Sequence, residues 1–96
     1  MYKDLDPLLH SQLRLTIVSM LVASDKVEFT HIREETQATA GNISVQIKKL
    51  QAAGYIRVEK TYKNNYPSTM LSITSKGLAA FETYVENLKK YLHPGK

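Results

Sequence analysis

Cysteine is absent from the chain. That excludes a disulfide scaffold, a thiol nucleophile and any thiolate metal site, and it fits a reducing cytosol. Histidine is scarce and scattered: His10, His31 and His93 have neither ligand spacing nor an HExxH-type pairing, so no metal is expected. Four glycines are too few for a phosphate-cradling loop, and no nucleophile motif occurs. Glu34-Glu35 reads as solvated helix surface and not as a catalytic carboxylate pair. An enzyme is not expected, nor a cofactor.

Long apolar runs are missing too. The longest, Leu13 to Ala23, is broken by Arg14, Thr16 and Ser19 and is too short and polar to span a bilayer. The N-terminus lacks the basic region, apolar run and cleavage site of a secretory leader, so a cytoplasmic protein without a membrane partner is expected. No repeat, low-complexity tract or linker is found, and residues 1–96 are expected to form a single domain.

What is present is a globular composition, 43% apolar and 23% charged, in a length that allows one modest core and would gain from pairing with a second copy. The net charge of +4 is unevenly spread. Between Gly41 and Lys76 stand Lys48, Lys49, Arg57, Lys60, Lys63 and Lys76 against Glu59 alone, a surplus of five, so the other residues sum to −1. A positive segment of this kind is the footprint of a polyanion partner, although small domains also gather basic residues by chance.

The most informative stretch is Thr39 to Gly54. Ile43, Ile47 and Leu50 recur at i, i+4 and i+7, one buried stripe of a short helix over 42–53, with Asn42 as its N-cap and Gly54 as its C′ residue. Opposite the stripe lie Val45, Lys48, Lys49 and Ala52, with Asn42 and Ser44 on the flanks. Two lysines, small polar groups and one exposed valine suit a DNA groove, where lysine meets phosphate or guanine and valine a thymine methyl. The same pattern alone more often serves only solubility.

Ahead of it, Asp6-Pro7 reads as a helix start, and Leu9, Leu13, Ile17, Met20 and Leu21 mark the buried face of a helix ending near Ala23 or Ser24. Leu8, Leu15, Val18 and Val22 widen that face, to be covered either by another subunit or by the chain itself. Val27-Glu28-Phe29 alternates like one rung of a sheet. Thr30 then caps a helix from His31 to about Gln37, anchored by Ile32. Two short helices joined by a tight turn make a helix-turn-helix. Thr30, His31 and Arg33 are candidates for contact with the DNA backbone, their ordinary roles being cap and solvated surface.

After Gly54 the period becomes two. Tyr55 to Lys60 and Thr69 to Ile73 read as strands, joined by a turn containing Asn64-Asn65 and Pro67. The hairpin tip carries Lys60, Tyr62, Lys63, Asn64 and Asn65, suited to a second contact with sugar and phosphate. From Thr74, which can cap, a last helix runs to about Leu92 and stops at Pro94-Gly95. Leu78, Phe81, Val85, Leu88 and Leu92 are spaced 3, 4, 3 and 4 like a short coiled-coil seam, with Tyr84 and Tyr91 alongside, so residues 75–92 are expected to form a dimerisation helix.

The order helix, strand, helix, helix, hairpin, helix, mainly α with a small β-hairpin (α+β), resembles the winged helix-turn-helix transcriptional regulators, most of all the small MarR-like and ArsR-like group. The resemblance rests on Lys-Lys-Leu-x-x-x-Gly-Tyr-Ile (Lys48 to Ile56) and Leu-x-Ile-Thr-x-x-Gly (Leu71 to Gly77) and covers about Asp6 to Leu92. It implies a homodimeric, sequence-specific double-stranded DNA-binding regulator, a repressor, with reading helices in successive major grooves and wings (60–68) on flanking backbone or minor groove. By the family pattern Ser44, Val45, Gln46, Lys48 and Lys49 face bases and phosphates. Two features depart from the group: no arginine stands near Ser68 in the second wing strand, and the cysteine and histidine clusters of metal-sensing relatives are missing. An unknown small-molecule effector, held between pairing helices and winged domain, is compatible with such a plan, though no residue names one. The rival function is a winged helix that binds protein instead of DNA; such a module should have lost the charge that this helix and wing keep.

Overall fold

The computed structural model describes residues 2–93 and orders them α1 (Gln12–Ala23), β1 (Val27–Glu28), α2 (Phe29–Thr36), α3 (Ala40–Ala52), β2 (Ile56–Lys63), β3 (Tyr66–Ile73) and α4 (Ser75–Leu92). This is the α+β winged helix-turn-helix plan. The strands form one antiparallel sheet in the order β1-β3-β2, so the two-residue β1 is the rung foreseen at Val27. Val27 pairs with Leu71, and Ile56 with Ile73. Those residues point the base of the sheet at Ile17, Val18 and Leu21 of α1, Ile32 of α2 and Ile43, Ile47 and Leu50 of α3, all buried. Each such side chain contributes about 1.5–3 kcal/mol on leaving water.

Several boundaries differ from the expectation. The first helix starts at Gln12 and not at Asp6-Pro7. Asp6 does cap, its Oδ1 accepting from the Leu8 N–H at 2.9 Å, but only for a single turn. A continuous helix would need the Leu8 carbonyl for the Gln12 N–H, and Arg14 Nε takes that carbonyl at 2.6 Å. Ser11 is then extended and Leu9 turns fully inward. With Val18 also buried, the wide apolar face of α1 is covered largely by its own chain. Helix α2 begins at Phe29, so Thr30 is not its cap, and no side chain caps it.

Nor is Asn42 a cap. Thr39 Oγ1 accepts from the Asn42 N–H at 3.1 Å, and α3 starts at Ala40, two residues earlier than expected, after a connection of only Gln37 to Thr39. Gly54 is the C′ residue foreseen: its φ is +80°, its N–H donates to the Gln51 carbonyl and that of Tyr55 to Leu50. These two bonds are the Schellman pattern, and they turn the chain at once from α3 into β2.

The hairpin is longer than expected. Strand pairing runs through Lys63 and Tyr66, and the turn shrinks to Asn64-Asn65, both left-handed at φ 52° and 68°. That is the backbone of a two-residue hairpin turn, which asparagine tolerates. Pro67 fits inside β3 because the Tyr62–Pro67 pair follows a hydrogen-bonded pair and needs no proline N–H. Thr74 caps α4 as expected, its hydroxyl accepting from the Gly77 N–H at 3.0 Å. Pro94-Gly95, expected to stop that helix, lie outside the described residues.

A candidate nucleic-acid interface

Burial of Ile43, Ile47 and Leu50 leaves α3 only one way to lie, with Gly41, Asn42, Val45, Lys48, Lys49 and Ala52 exposed. Val45 keeps 50% of its surface in water. Lys48 and Lys49 form no ion pair among the described residues, whereas Lys26, Lys63 and Lys89 are paired with Glu59, Glu28 and Glu86. Two unpaired cations beside an exposed valine are what the helix presents.

Ser44 and Gln46 are less available than expected, being half-buried. The Gln46 side chain is turned toward α1, where Oε1 accepts from Arg14 Nη1 at 2.5 Å, and its amide nitrogen donates to Asn42 Oδ1 at 2.9 Å. Gln46 is thus a support for its neighbours more than an outward group. Arg14 went unforeseen as a participant because the contact joins residues far apart in sequence; the only local signal was a charge interrupting an apolar stretch.

The wing projects Lys60, Tyr62, Lys63, Asn64 and Asn65 into solvent, Tyr62 at 77% exposure. Tyr66, not among the expected contacts, is 75% exposed across the turn from Lys63. With the turn taken as Asn64-Asn65, the register sets Tyr66 opposite Lys63 and Tyr62 opposite Pro67, which brings a second exposed tyrosine to the tip. Lys63 is not free: its Nζ donates to Glu28 Oε1 at 2.9 Å, and Ser68 Oγ donates to Glu28 Oε2 at 3.2 Å. The Lys63 hydrogen bond, followed by its charge, holds the Glu28 carboxyl below the usual carboxylate range. This clamp ties the wing to the start of α2 across a cleft of about 400 Å³ that Thr30 also lines. Thr30, His31 and Arg33 are exposed on α2, with His31 Nδ1 3.9 Å from Glu34.

Wing and reading helix are held in register at one junction. The Tyr55 carbonyl accepts from the Thr74 N–H at 3.0 Å, Thr74 Oγ1 donates to the Gly54 carbonyl at 2.6 Å, and Gly77 passes against Tyr55. The Tyr55 hydroxyl donates to Asp6 Oδ2 at 2.5 Å, and Lys76 Nζ stands 5.9 Å from the ring centre. The bond to Asp6, helped by burial and by the carboxylate's charge, pushes the Tyr55 phenol from 10.0 up to about 12. A raised value in the folded state means that the protonated phenol stabilises the fold at every pH below 10 and that this contribution disappears between pH 10 and 12. In an alkaline absorbance titration Tyr55 should ionise late, and Tyr55→Phe should remove that late step. A titration unchanged in Tyr55→Phe would contradict the bond.

The residues expected to pair two chains divide. Tyr84 does not lie on a free seam: it is 4% exposed, packed in the chain's own core with its hydroxyl 3.1 Å from His10 Nδ1. Phe81, Val85 and Leu88 are half-buried, and Phe81 and Leu88 lean on that core. Leu78, Tyr91 and Leu92 remain open at 38%, 44% and 66%. Tyr91 meets the N-terminal residues, its hydroxyl donating to the Lys3 carbonyl at 2.7 Å and its ring 4.9 Å from Tyr2. Among the described residues no helix is long and apolar enough to cross a membrane.

Comparison with known proteins gives this geometry its context. The family described as winged helix DNA-binding domain matches residues 13–92. An uncharacterized protein of Methanocaldococcus jannaschii is 30% identical over 76 residues, which span 79% of this chain and 83% of that one. A transcriptional regulator homologue from Pyrococcus horikoshii OT3 superposes with a TM-score of 0.82 at 26% identity, over 88% of this chain and 84% of the other. A mutant of MarR from E. coli, solved in complex with operator DNA, shares the fold at a TM-score of 0.72 and 15% identity, over 91% of this chain and 61% of MarR.

Proposed function

The chain belongs to the winged helix DNA-binding domain family, and on that premise we propose that it is a sequence-specific transcriptional regulator that reads duplex DNA as a homodimer. The family and fold are those of regulators, not enzymes. The observation that carries the reading is the exposed face of α3, where Lys48 and Lys49 have no ion-pair partner among the described residues and stand beside an open Val45. In this reading α3 lies in the major groove, with Lys48 and Lys49 on phosphate or guanine and Val45 against a thymine methyl. Lys60, Tyr62, Asn64 and Asn65, now joined by Tyr66, meet flanking backbone or minor groove, and Thr30, His31 and Arg33 the phosphates nearer α2. In this reading the chain acts in the cytoplasm and represses by occupying promoter DNA. A protein-binding role would instead require a partner with an acidic surface to meet the two lysines.

A duplex titrated at 50 and 200 mM salt tests the reading. Affinity should fall steeply, log K following log salt with a slope near −0.9 per phosphate contacted. Binding indifferent to salt would rule it out.

Pairing is supported by Leu78 and Leu92, apolar groups left open on a helix of 18 residues, about 27 Å long at 1.5 Å per residue, in a molecule of 55 × 25 × 21 Å. Residues 75–92 then join two copies, and the two reading helices stand about 34–36 Å apart, one turn of DNA. Because Leu88 also serves the chain's own core, Leu92→Asp is the cleaner probe. It should give monomers by sedimentation with thermal stability nearly unchanged; a dimer that persists would remove Leu92 from the interface.

A further inference from the structure

Arginine has only donors to offer, and that fixes the polarity of a short chain of amides running onto α3. Arg14 is itself anchored, with Nε donating to the Leu8 carbonyl at 2.6 Å, and its Nη1 meets Gln46 at 2.5 Å. The Gln46 atom facing a guanidinium must be oxygen, so the amide nitrogen points the other way. There it donates to Asn42 Oδ1 at 2.9 Å, one helical turn back. The Asn42 oxygen is thereby engaged along the helix. Its NH2 group is the end left outward, without a hydrogen bond among the described residues. Oxygen and nitrogen of a surface amide ordinarily exchange places by rotation. Here turning either amide over would set donor against donor or acceptor against acceptor.

Asn42 is exposed and sits in the first turn of α3, the end from which a reading helix meets base edges. An asparagine free to turn makes two bonds to adenine, accepting from N6 and donating to N7. With its oxygen engaged it is chiefly a donor. Guanine, which shows two adjacent acceptors at N7 and O6, suits it best, thymine O4 and adenine N7, single acceptors, next, and the cytosine amino group least. Resting on the DNA-reading function above, we infer that Asn42 is a specificity-determining residue that reads a hydrogen-bond acceptor, guanine first, and that Arg14 is a positioning residue acting on it through Gln46.

Selection of bound duplexes from a randomised pool, run on the full chain and three variants, tests this. The wild type should enrich guanine at one position of each half-site, roughly threefold to tenfold, the range of one neutral hydrogen bond. Gln46→Glu keeps an acceptor for Arg14 but presents a second oxygen to Asn42, whose amide must turn over to donate. Preference at that one position should move to cytosine or adenine, with the other positions unchanged. Asn42→Asp, which places an oxygen outward and is favourable in the first turn of a helix, should move it the same way. Asn42→Ala should erase it. Identical preferences in all four proteins would overturn the inference while leaving sequence-specific binding intact, and so would an Asn42→Ala variant that binds every sequence equally more weakly, the mark of a phosphate contact. A wild type that binds DNA with no enriched position would instead overturn the sequence-reading function, and this inference with it.

Discussion

Replacing Gly77 by alanine should cost the fold about 3 kcal/mol or more, although the usual effect of that change inside a helix has the opposite sign. Alanine is better than glycine in a helix by about 1 kcal/mol, and Gly77 lies in the first turn of α4. The added methyl, however, would stand 2.1 Å from the Tyr55 carbonyl oxygen, 2.9 Å from its carbon and 3.0 Å from Tyr55 Cα. A carbon and a carbonyl oxygen need about 3.3 Å even at close approach, so one backbone must recede by roughly 1.2 Å. Neither has a flexible side chain to yield in its place. Tyr55 is fixed by the α3 C-terminal turn and by the Thr74 N–H, and Gly77 by the Thr74 hydroxyl, so the movement breaks the junction that holds wing, reading helix and α4 together. Overpacking ordinarily costs about 1–3 kcal/mol where side chains can adjust; against a backbone the upper end is the expectation. For a domain of this size the melting midpoint should drop by about 12–24 °C. A Gly77→Ala variant melting at or above the wild type would show that the approach is looser than described.

The same junction explains why one of the two sequence motifs was legible. Leu71-x-Ile73-Thr74-x-x-Gly77 combines a buried and a partly buried strand position, a cap and a close approach, all within seven residues. The α3 stripe and the Gly54 turn were readable for the same reason: a helical period and a left-handed glycine are local properties. The readings that failed depend on contacts between distant residues. Asp6-Pro7 is a sound helix start by local rules, and what ends that helix after one turn is the side chain of Arg14. Asn42 is as good a cap as Thr39 in composition; the choice between them follows from how α2 ends at Gln37, left-handed at φ 57°. The direction of the Gln46 side chain is set by Arg14, and Tyr84 is drawn from the supposed seam into the core beside His10. Periodicity names the face of a helix. It does not say which neighbour will reach that face.

Replacing both Lys48 and Lys49 by alanine should nearly abolish DNA binding while leaving the fold alone, and the size of the effect counts the chains in the complex. Both side chains are exposed and without an ion pair among the described residues, and alanine is at least as good a helix former as lysine, so helicity and melting should not change. In a homodimer the double substitution removes four cations from the interface, and in a monomer two. Each lysine lost from a phosphate lowers the salt slope by about 0.9, so the slope of log K against log salt should become shallower by about 3.6 for a dimer and by about 1.8 for a monomer. If each contact is worth about 1 kcal/mol net, the dimer loses about 4 kcal/mol, roughly a thousandfold in affinity. Measuring the slope alongside the affinity separates the two ways in which the experiment could surprise. A large loss of affinity with an unchanged slope would assign the lysines to base edges and not to phosphates. An unchanged affinity would mean that α3 does not face the nucleic acid at all, and the basic wing would have to hold the duplex without it.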